Sequence, residues 1–261
     1  MSMPLVAISS CLTGQVAVVT GATGGIGRAM ALALAQAGAH IVVHGSSRAA
    51  EAEQLAGQIR AAGRQALVAL GDVSDRVARG RLVEQAWNWQ SGVQVWINCA
   101  GADVLTGAAT AWSFEQKLAR LWRVDVEGTI DLSRAIGQRM AANERGGAIL
   151  NIGWDQANHG MGGDSGEMFA ATKGAIMAFS RSLAQSLAPR VRVNCLCPGW
   201  IRTAWGEQAS DYWQERATRQ ALRGRWGTPA DVANAALFLV SPAADFLTGQ
   251  VIDVNGGFRH E

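Results

Sequence analysis

The chain has 261 residues, 49% of them apolar and 17% charged, which suits one domain spanning 1–261 and leaves too little chain for a second full one. Its 23 Lys and Arg against 21 Asp and Glu leave a formal charge of +2, which argues against the clustered positive field that nucleic acid or an anionic membrane requires. No apolar stretch approaches the roughly 20 residues of a spanning helix, and Met1–Thr13, read as an N-terminal extension, lacks the basic start of a secretion signal; a cytoplasmic protein without membrane or nucleic-acid partners is expected.

In chain order, the β-branched run Val16–Val19 is followed by a glycine-rich turn and an Ala-rich helical segment, Gly25–Ala37. Ile41–Val43 precedes a helical stretch at Arg48–Ala62, and Ala66–Leu70 precedes another at Asp75–Trp89. Val93–Ile97 leads to the long periodic segment Trp112–Met140, and Ile149–Ile152 leads through a loop to Phe169–Leu187. Val191–Leu196 and Gln250–Val254 complete the strand set, and Thr228-Pro229 with Asp231 marks a capped helix running to about Val240. Apolar strands alternating with crossover-length helices predict an α/β fold, a single Rossmann-like doubly wound parallel sheet of about seven strands. The four cysteines form neither a disulfide framework nor a zinc set, so no metal is expected, and Cys195 and Cys197 read as apolar filler on one strand face.

Thr20-Gly21-Ala22-Thr23-Gly24-Gly25-Ile26-Gly27 lies between a strand and a helix. Bare backbone amides there let a diphosphate approach the helix N-terminus, so Gly21, Thr23, Gly25 and Ile26 are candidate dinucleotide contacts. An NAD site would place an acid about 20 residues further on. The stretch here is His44-Gly45-Ser46-Ser47-Arg48, with hydroxyls and a guanidinium and no carboxylate. Ser46, Ser47 and Arg48 therefore point to a 2′-phosphate, hence NADP(H), with NADPH preferred over NADH, and Arg28 adds positive charge nearby.

With these motifs the chain resembles the short-chain dehydrogenase/reductase family along nearly its whole length. Gly71-Asp72-Val73 is similar to the family's adenine-contacting segment, and Asn98-Cys99-Ala100-Gly101 to its Asn-Asn-Ala-Gly element. Pro198-Gly199-Trp200-Ile201-Arg202-Thr203 resembles the loop that holds the nicotinamide amide, and Val254-Asn255-Gly256-Gly257 part of a C-terminal signature. The resemblance implies cofactor contacts at Asp72, Val73, Asn98, Ala100, Gly101, Pro198, Gly199, Ile201 and Thr203. It implies that Lys173 bonds the nicotinamide ribose and that residues of about 200–226 form a substrate lid. A homodimer or homotetramer built on the long helices is also implied.

The family's Tyr-x-x-x-Lys pair aligns with Phe169-Ala170-Ala171-Thr172-Lys173, so a benzene ring stands where the phenol would protonate a carbonyl. Trp154 aligns with the family's Ser, and Asp125 with its Asn, where a backbone carbonyl does much of the work. Other acids in reach are Asp155, His159, Asp164 and Glu167 between Trp154 and Phe169; Asp155 is the first candidate, provided burial raises its pKa. Tyr212, the single tyrosine beside ten tryptophans, reads as an aromatic wall together with Trp154, Trp200, Trp205 and Trp213. With catalytic candidates Lys173, Asp125 and Asp155, the expectation is an oxidoreductase acting on a small aromatic or apolar carbonyl or enone. The alternative is a catalytically silent NADP(H)-binding module, a sensor or a partner subunit.

Overall fold

The computed structural model describes residues 10–259. Most of the expected N-terminal extension lies outside them, but Leu12 is fully buried in the core and its amide donates to the Ala37 carbonyl at 3.0 Å. Strands β1 (Val16–Thr20), β2 (His40–Gly45), β3 (Ala66–Leu70), β4 (Val95–Asn98), β5 (Gly147–Ile152), β6 (Val191–Pro198) and β7 (Val251–Val254) pair in the order β3-β2-β1-β4-β5-β6-β7. Every pairing is parallel, with Val18 opposite Val42 on one side and Trp96 on the other. This is the doubly wound sheet that the alternating strand and helix pattern predicts.

Both sheet faces are apolar because both are covered. Ala17 and Val19 of β1 pack with Leu34 of α1 (Gly25–Gln36), Leu55 of α2 (Ala49–Ala61) and Ala236 on one side. Val16 and Val18 pack with Leu82 of α3 (Arg76–Asn88), Ile136 and Leu183 on the other. Successive strand residues thus serve opposite layers, each removing apolar surface from water at roughly 25 cal/mol per Å². The strand order reverses between β1 and β4, so a crevice opens beyond their carboxyl ends, where sheets of this kind bind ligands.

The stretch expected as one helix, Trp112–Met140, is broken. A 3-10 turn, Gly107–Ala111, precedes α4 (Phe114–Leu121), a π-helical turn covers Trp122–Glu127, and α5 (Gly128–Ala142) follows. The wide turn carries buried Asp125. A short α6 (Gln156–His159) follows β5, and α7 (Asp164–Leu187) begins earlier than Phe169, which moves Asp164 and Glu167 from the expected loop onto its first turn, where both are exposed. Beyond β6 come α8 (Ala204–Gln208), α9 (Asp211–Gln220) and α10 (Pro229–Val240). The Thr228 cap is as expected: its side chain accepts from the Asp231 amide while the Asp231 carboxylate accepts from the Thr228 amide. No helix of the described residues is long and apolar enough to cross a membrane, and no metal-holding cluster of His, Cys, Asp or Glu occurs among them.

Candidate active site

The crevice is a cleft of about 730 Å³ bounded by the glycine turn, the segment after β4, the α7 face and the segment after β6. Gly21 holds φ +67°, and a Cβ there would lie 2.8 Å from Ala100 Cα. A Cβ on Gly27 would lie 2.4 Å from the Gly21 carbonyl, so side chains at either position would push the turn out of its seat. Thr20 ties this turn to β4, its hydroxyl accepting from the Cys99 and Ala100 amides at 3.0 Å each. Gly24 caps α1 without a side-chain hydrogen bond, and the first turn carries no acid, so amides and positive dipole face the cleft unneutralised.

His44 supports the turn from behind. Its Nε2 donates to the Gly71 carbonyl at 2.9 Å and its Nδ1 accepts from the Gly21 amide at 3.4 Å, a pairing that requires the neutral ring. Burial lowers its pKa to about 4 and outweighs the opposing Gly71 carbonyl and Asp72 charge. Ser46 and Ser47 are exposed beyond it, and an Arg48 guanidinium nitrogen lies 3.9 Å from where a Gly24 Cβ would be. Thr23 faces Gly45, where a Cβ would meet its methyl at 3.0 Å. Arg28 donates to the Gln58 side chain of α2 at 2.6 Å. The described residues thus fit a dinucleotide: a close-approach glycine cradle, an uncapped helix end and a guanidinium at its rim.

Gly21, Gly25, Ile26, Gly101, Asp125, Lys173, Pro198, Gly199, Ile201 and Thr203 all line this one cleft. A Cβ on Gly25 would meet the Thr203 methyl at 3.4 Å, which brings the glycine turn and the loop after β6 together. Thr23, Ser46, Ser47 and Arg48 do not line it, although Thr23 lies against Gly45 and Arg48 near Gly24, and Ala100 backs Gly21. Asp72 sits beyond β3, where its carboxylate accepts from Arg120 at 2.9 Å and the Ser74 amide at 2.8 Å; Val73 is buried. The Asn98 side chain faces inward, donating to Ser133 and Asn151 and accepting from the Trp96 indole, each at 2.8 Å, and only its backbone is left for a ligand.

On α7, Ser165, Phe169 and Lys173 recur every four residues and face the cleft together. Lys173 pairs with Asp125 through Nζ and Oδ2 at 2.8 Å, with side chains 15% and 2% exposed. Asp125 Oδ1 accepts from the Ala102 amide at 2.9 Å. Burial acts to lower the Lys173 pKa, but the Asp125 carboxylate overrides it and holds the ammonium above its ordinary range. The Asp125 side chain, rather than its backbone carbonyl, therefore engages the lysine.

Asp155 does not line the cleft. Its carboxylate is buried under the loop after β6, where Oδ2 accepts from Asn255 at 3.1 Å and lies 3.0 Å from where a Gly199 Cβ would be. Burial raises its pKa to about 6 against the pull of Asn255, so the expected shift occurs, but away from the cavity. His159, on the same side, stacks on Phe258 at 4.5 Å. Tyr212 also lies outside the cleft, 61% exposed and edge-on to Trp213, correcting its reading as a wall.

Trp154 and Phe169 meet edge to face at 6.1 Å on one wall. Trp200, Trp205 and Trp213 join Trp226 on another, with Trp200 and Trp205 stacked at 6.4 Å and Trp200 edge-on to Trp226 at 6.0 Å. Trp226 is the wall residue that sequence reasoning missed. Ser165 was missed too, although its spacing four before Phe169 is a readable helical signal.

Fold and cleft define a dinucleotide-binding α/β protein. A family model described as enoyl-(acyl carrier protein) reductase matches residues 21–259. The chain is 35% identical over 255 residues to the 3-oxoacyl-[acyl-carrier-protein] reductase of Aquifex aeolicus, covering 94% of this chain and 98% of that one. A 7α-hydroxysteroid dehydrogenase complexed with NADH and 7-oxo glycochenodeoxycholic acid is similar with TM-score 0.88 and 29% identity, covering 98% of this chain and 99% of that one. A short chain dehydrogenase of Burkholderia cenocepacia in complex with NADP has TM-score 0.85 at 27% identity, covering 94% and 98%. The chain belongs to the short-chain dehydrogenase/reductase family, and these relatives are a reductase and two dehydrogenases, the latter holding NADH and NADP.

Proposed function

We propose that the protein is an NADP(H)-dependent oxidoreductase with a non-standard active site, in which Phe169 and Trp154 stand where relatives carry Tyr and Ser, acting on an aromatic or apolar unsaturated substrate. The observation that carries this reading is the union, in one cleft, of the glycine cradle, Lys173 and the Thr203 loop with an aromatic wall lacking any phenol. Such a cofactor supplies a hydride from its nicotinamide. Gly21, Gly25 and Ile26 would hold the diphosphate, Ser46, Ser47 and Arg48 the 2′-phosphate, and Pro198, Gly199, Ile201 and Thr203 the nicotinamide end. Lys173, held by Asp125, would bond ribose hydroxyls, and the rings of Trp154, Phe169 and Trp205 would exclude water and orient the substrate plane.

Phe169 offers no proton, and losing a positioned general acid costs about 10² to 10⁴ in rate. The test is incubation with NADPH and a panel of ketones and enones, followed by absorbance and product analysis. Slow or absent turnover of simple ketones is expected in the wild type. The double variant Trp154→Ser/Phe169→Tyr is expected to gain ketone reduction by at least about tenfold. A folded but inert double variant overturns the placement. Tight NADPH binding without turnover of any unsaturated compound would instead favour the silent nucleotide-binding module.

A further inference from the structure

The charged side chains lining the cleft are Asp103, Asp125 and Lys173. Asp125 and Lys173 neutralise each other at 2.8 Å, which leaves Asp103 as the one uncompensated charge among them. Its carboxylate accepts from the Leu105 and Thr106 amides at 3.0 Å each, contacts that favour its ionised form. Leu105 packs with Phe169 against the cluster of Val104, Leu121 and Met168, so the Asp103 loop belongs to the substrate wall. The cleft lining thus combines one exposed carboxylate with aromatic rings. Arg216 lies over Trp200 and Trp213, 5.9 and 5.3 Å from their ring centres, without lining the cleft. Trp154, Trp205, Trp226 and Phe169 carry no such cation among the described residues.

A ring face attracts a cation, and a carboxylate in the same cleft lining adds to that attraction. We propose that the cleft takes a planar, positively charged substrate, an aromatic iminium ion, as the C=N⁺ counterpart of the ketones its relatives reduce. The inference rests on the nucleotide-dependent reading above and narrows its substrate. It also removes the need for the missing phenol. A ketone that accepts hydride becomes an alkoxide and must take up a proton, for which the wall of Phe169 and Trp154 has no O–H group to offer. An iminium carbon gains hydrogen with its electron pair from a reduced nicotinamide dinucleotide, and the C=N π pair becomes the nitrogen lone pair. The positive charge passes to the oxidised nicotinamide, and no proton changes hands.

The test compares N-methyl-3,4-dihydroisoquinolinium with 1-tetralone, a neutral ketone on a similar fused frame. Both are titrated into the full chain by tryptophan fluorescence, NADPH binding is followed separately by calorimetry, and products formed with NADPH are analysed. The iminium is expected to bind about tenfold tighter than the ketone and to yield the tertiary amine. Trp205→Leu is expected to remove most of that preference, and Asp103→Asn, which keeps an acceptor for the Leu105 and Thr106 amides, to reduce it about threefold. Equal or tighter binding of 1-tetralone, or a preference that survives both variants, overturns the inference while NADPH heat leaves the oxidoreductase reading standing. Absence of NADPH heat removes both.

Discussion

Replacing Asp125 tests the buried ion pair on which the α7 face of the cleft is organised. At 2.8 Å the pair's attraction is about 6 kcal/mol at an effective dielectric of 20, against the desolvation of two groups whose side chains are 2% and 15% exposed. Asp125→Ala removes the attraction and keeps the desolvated ammonium, a loss of about 3–5 kcal/mol. It also strands the Ala102 amide, whose acceptor at 2.9 Å disappears, for a further ~1 kcal/mol or more. Asp125→Asn keeps an oxygen for that amide and is expected to cost about half as much. The double variant Asp125→Leu/Lys173→Met leaves neither charge and is expected to cost far less than the two single changes added together, with a coupling of about 3 kcal/mol. Urea unfolding followed by circular dichroism and by tryptophan fluorescence, with coincident midpoints, measures these variants and the single changes Asp125→Leu and Lys173→Met. Because the folded Lys173 pKa is raised, the lysine's linked contribution is fully present below its unfolded value of about 10.4 and is lost as pH rises through the folded value. Single variants that cost under about 1 kcal/mol, or changes that simply add, would refute this reasoning.

Two buried groups oppose each other in acid. His44 is held neutral with a pKa of about 4 instead of 6.5, so its contribution is complete above pH 6.5 and about 3 kcal/mol is lost as pH falls towards 4. His44→Gln should therefore gain on the wild type across that window in thermal melts. Asp155, raised to about 6, costs about 3 kcal/mol of stability above pH 6, and this cost fades as pH falls towards 3.8. Asp155→Asn should accordingly be more stable than the wild type at pH 7 and lose that advantage near pH 4; an advantage independent of pH would count against the assignment. Arg48→Ala should weaken NADPH binding about tenfold to a hundredfold in calorimetry and leave NADH unchanged, whereas an equal loss for both would detach Arg48 from the 2′-phosphate.

The elements legible in the sequence are those written locally. β-branched runs mark all seven strands to within a few residues, and Thr228-Pro229 with Asp231 fixes the start of α10, because each signal acts over one turn or one strand. The π-helical turn at Trp122–Glu127 escaped, since one extra residue in a turn leaves the apolar periodicity nearly intact. Asp155 illustrates a different limit. Neither its burial nor its direction could be read from the sequence, because both depend on Gly199 and Asn255, residues 44 and 100 positions away, meeting it under the loop after β6. The Lys173–Asp125 pair was hidden for the same reason, as two elements had to converge before either charge found the other. Trp226 joins the aromatic wall only because the chain returns from α9 to pack beside Trp200 and Trp205.

The proposed function requires the cleft to hold a phosphorylated nicotinamide nucleotide beside a ring that cannot donate a proton. A calorimetric titration of the full chain with NADPH, set against NADH under the same conditions, tests its foundation. Saturable one-to-one binding of NADPH is expected, tighter than that of NADH by at least about tenfold. No heat from NADPH, confirmed by no heat from NADP⁺, would contradict it.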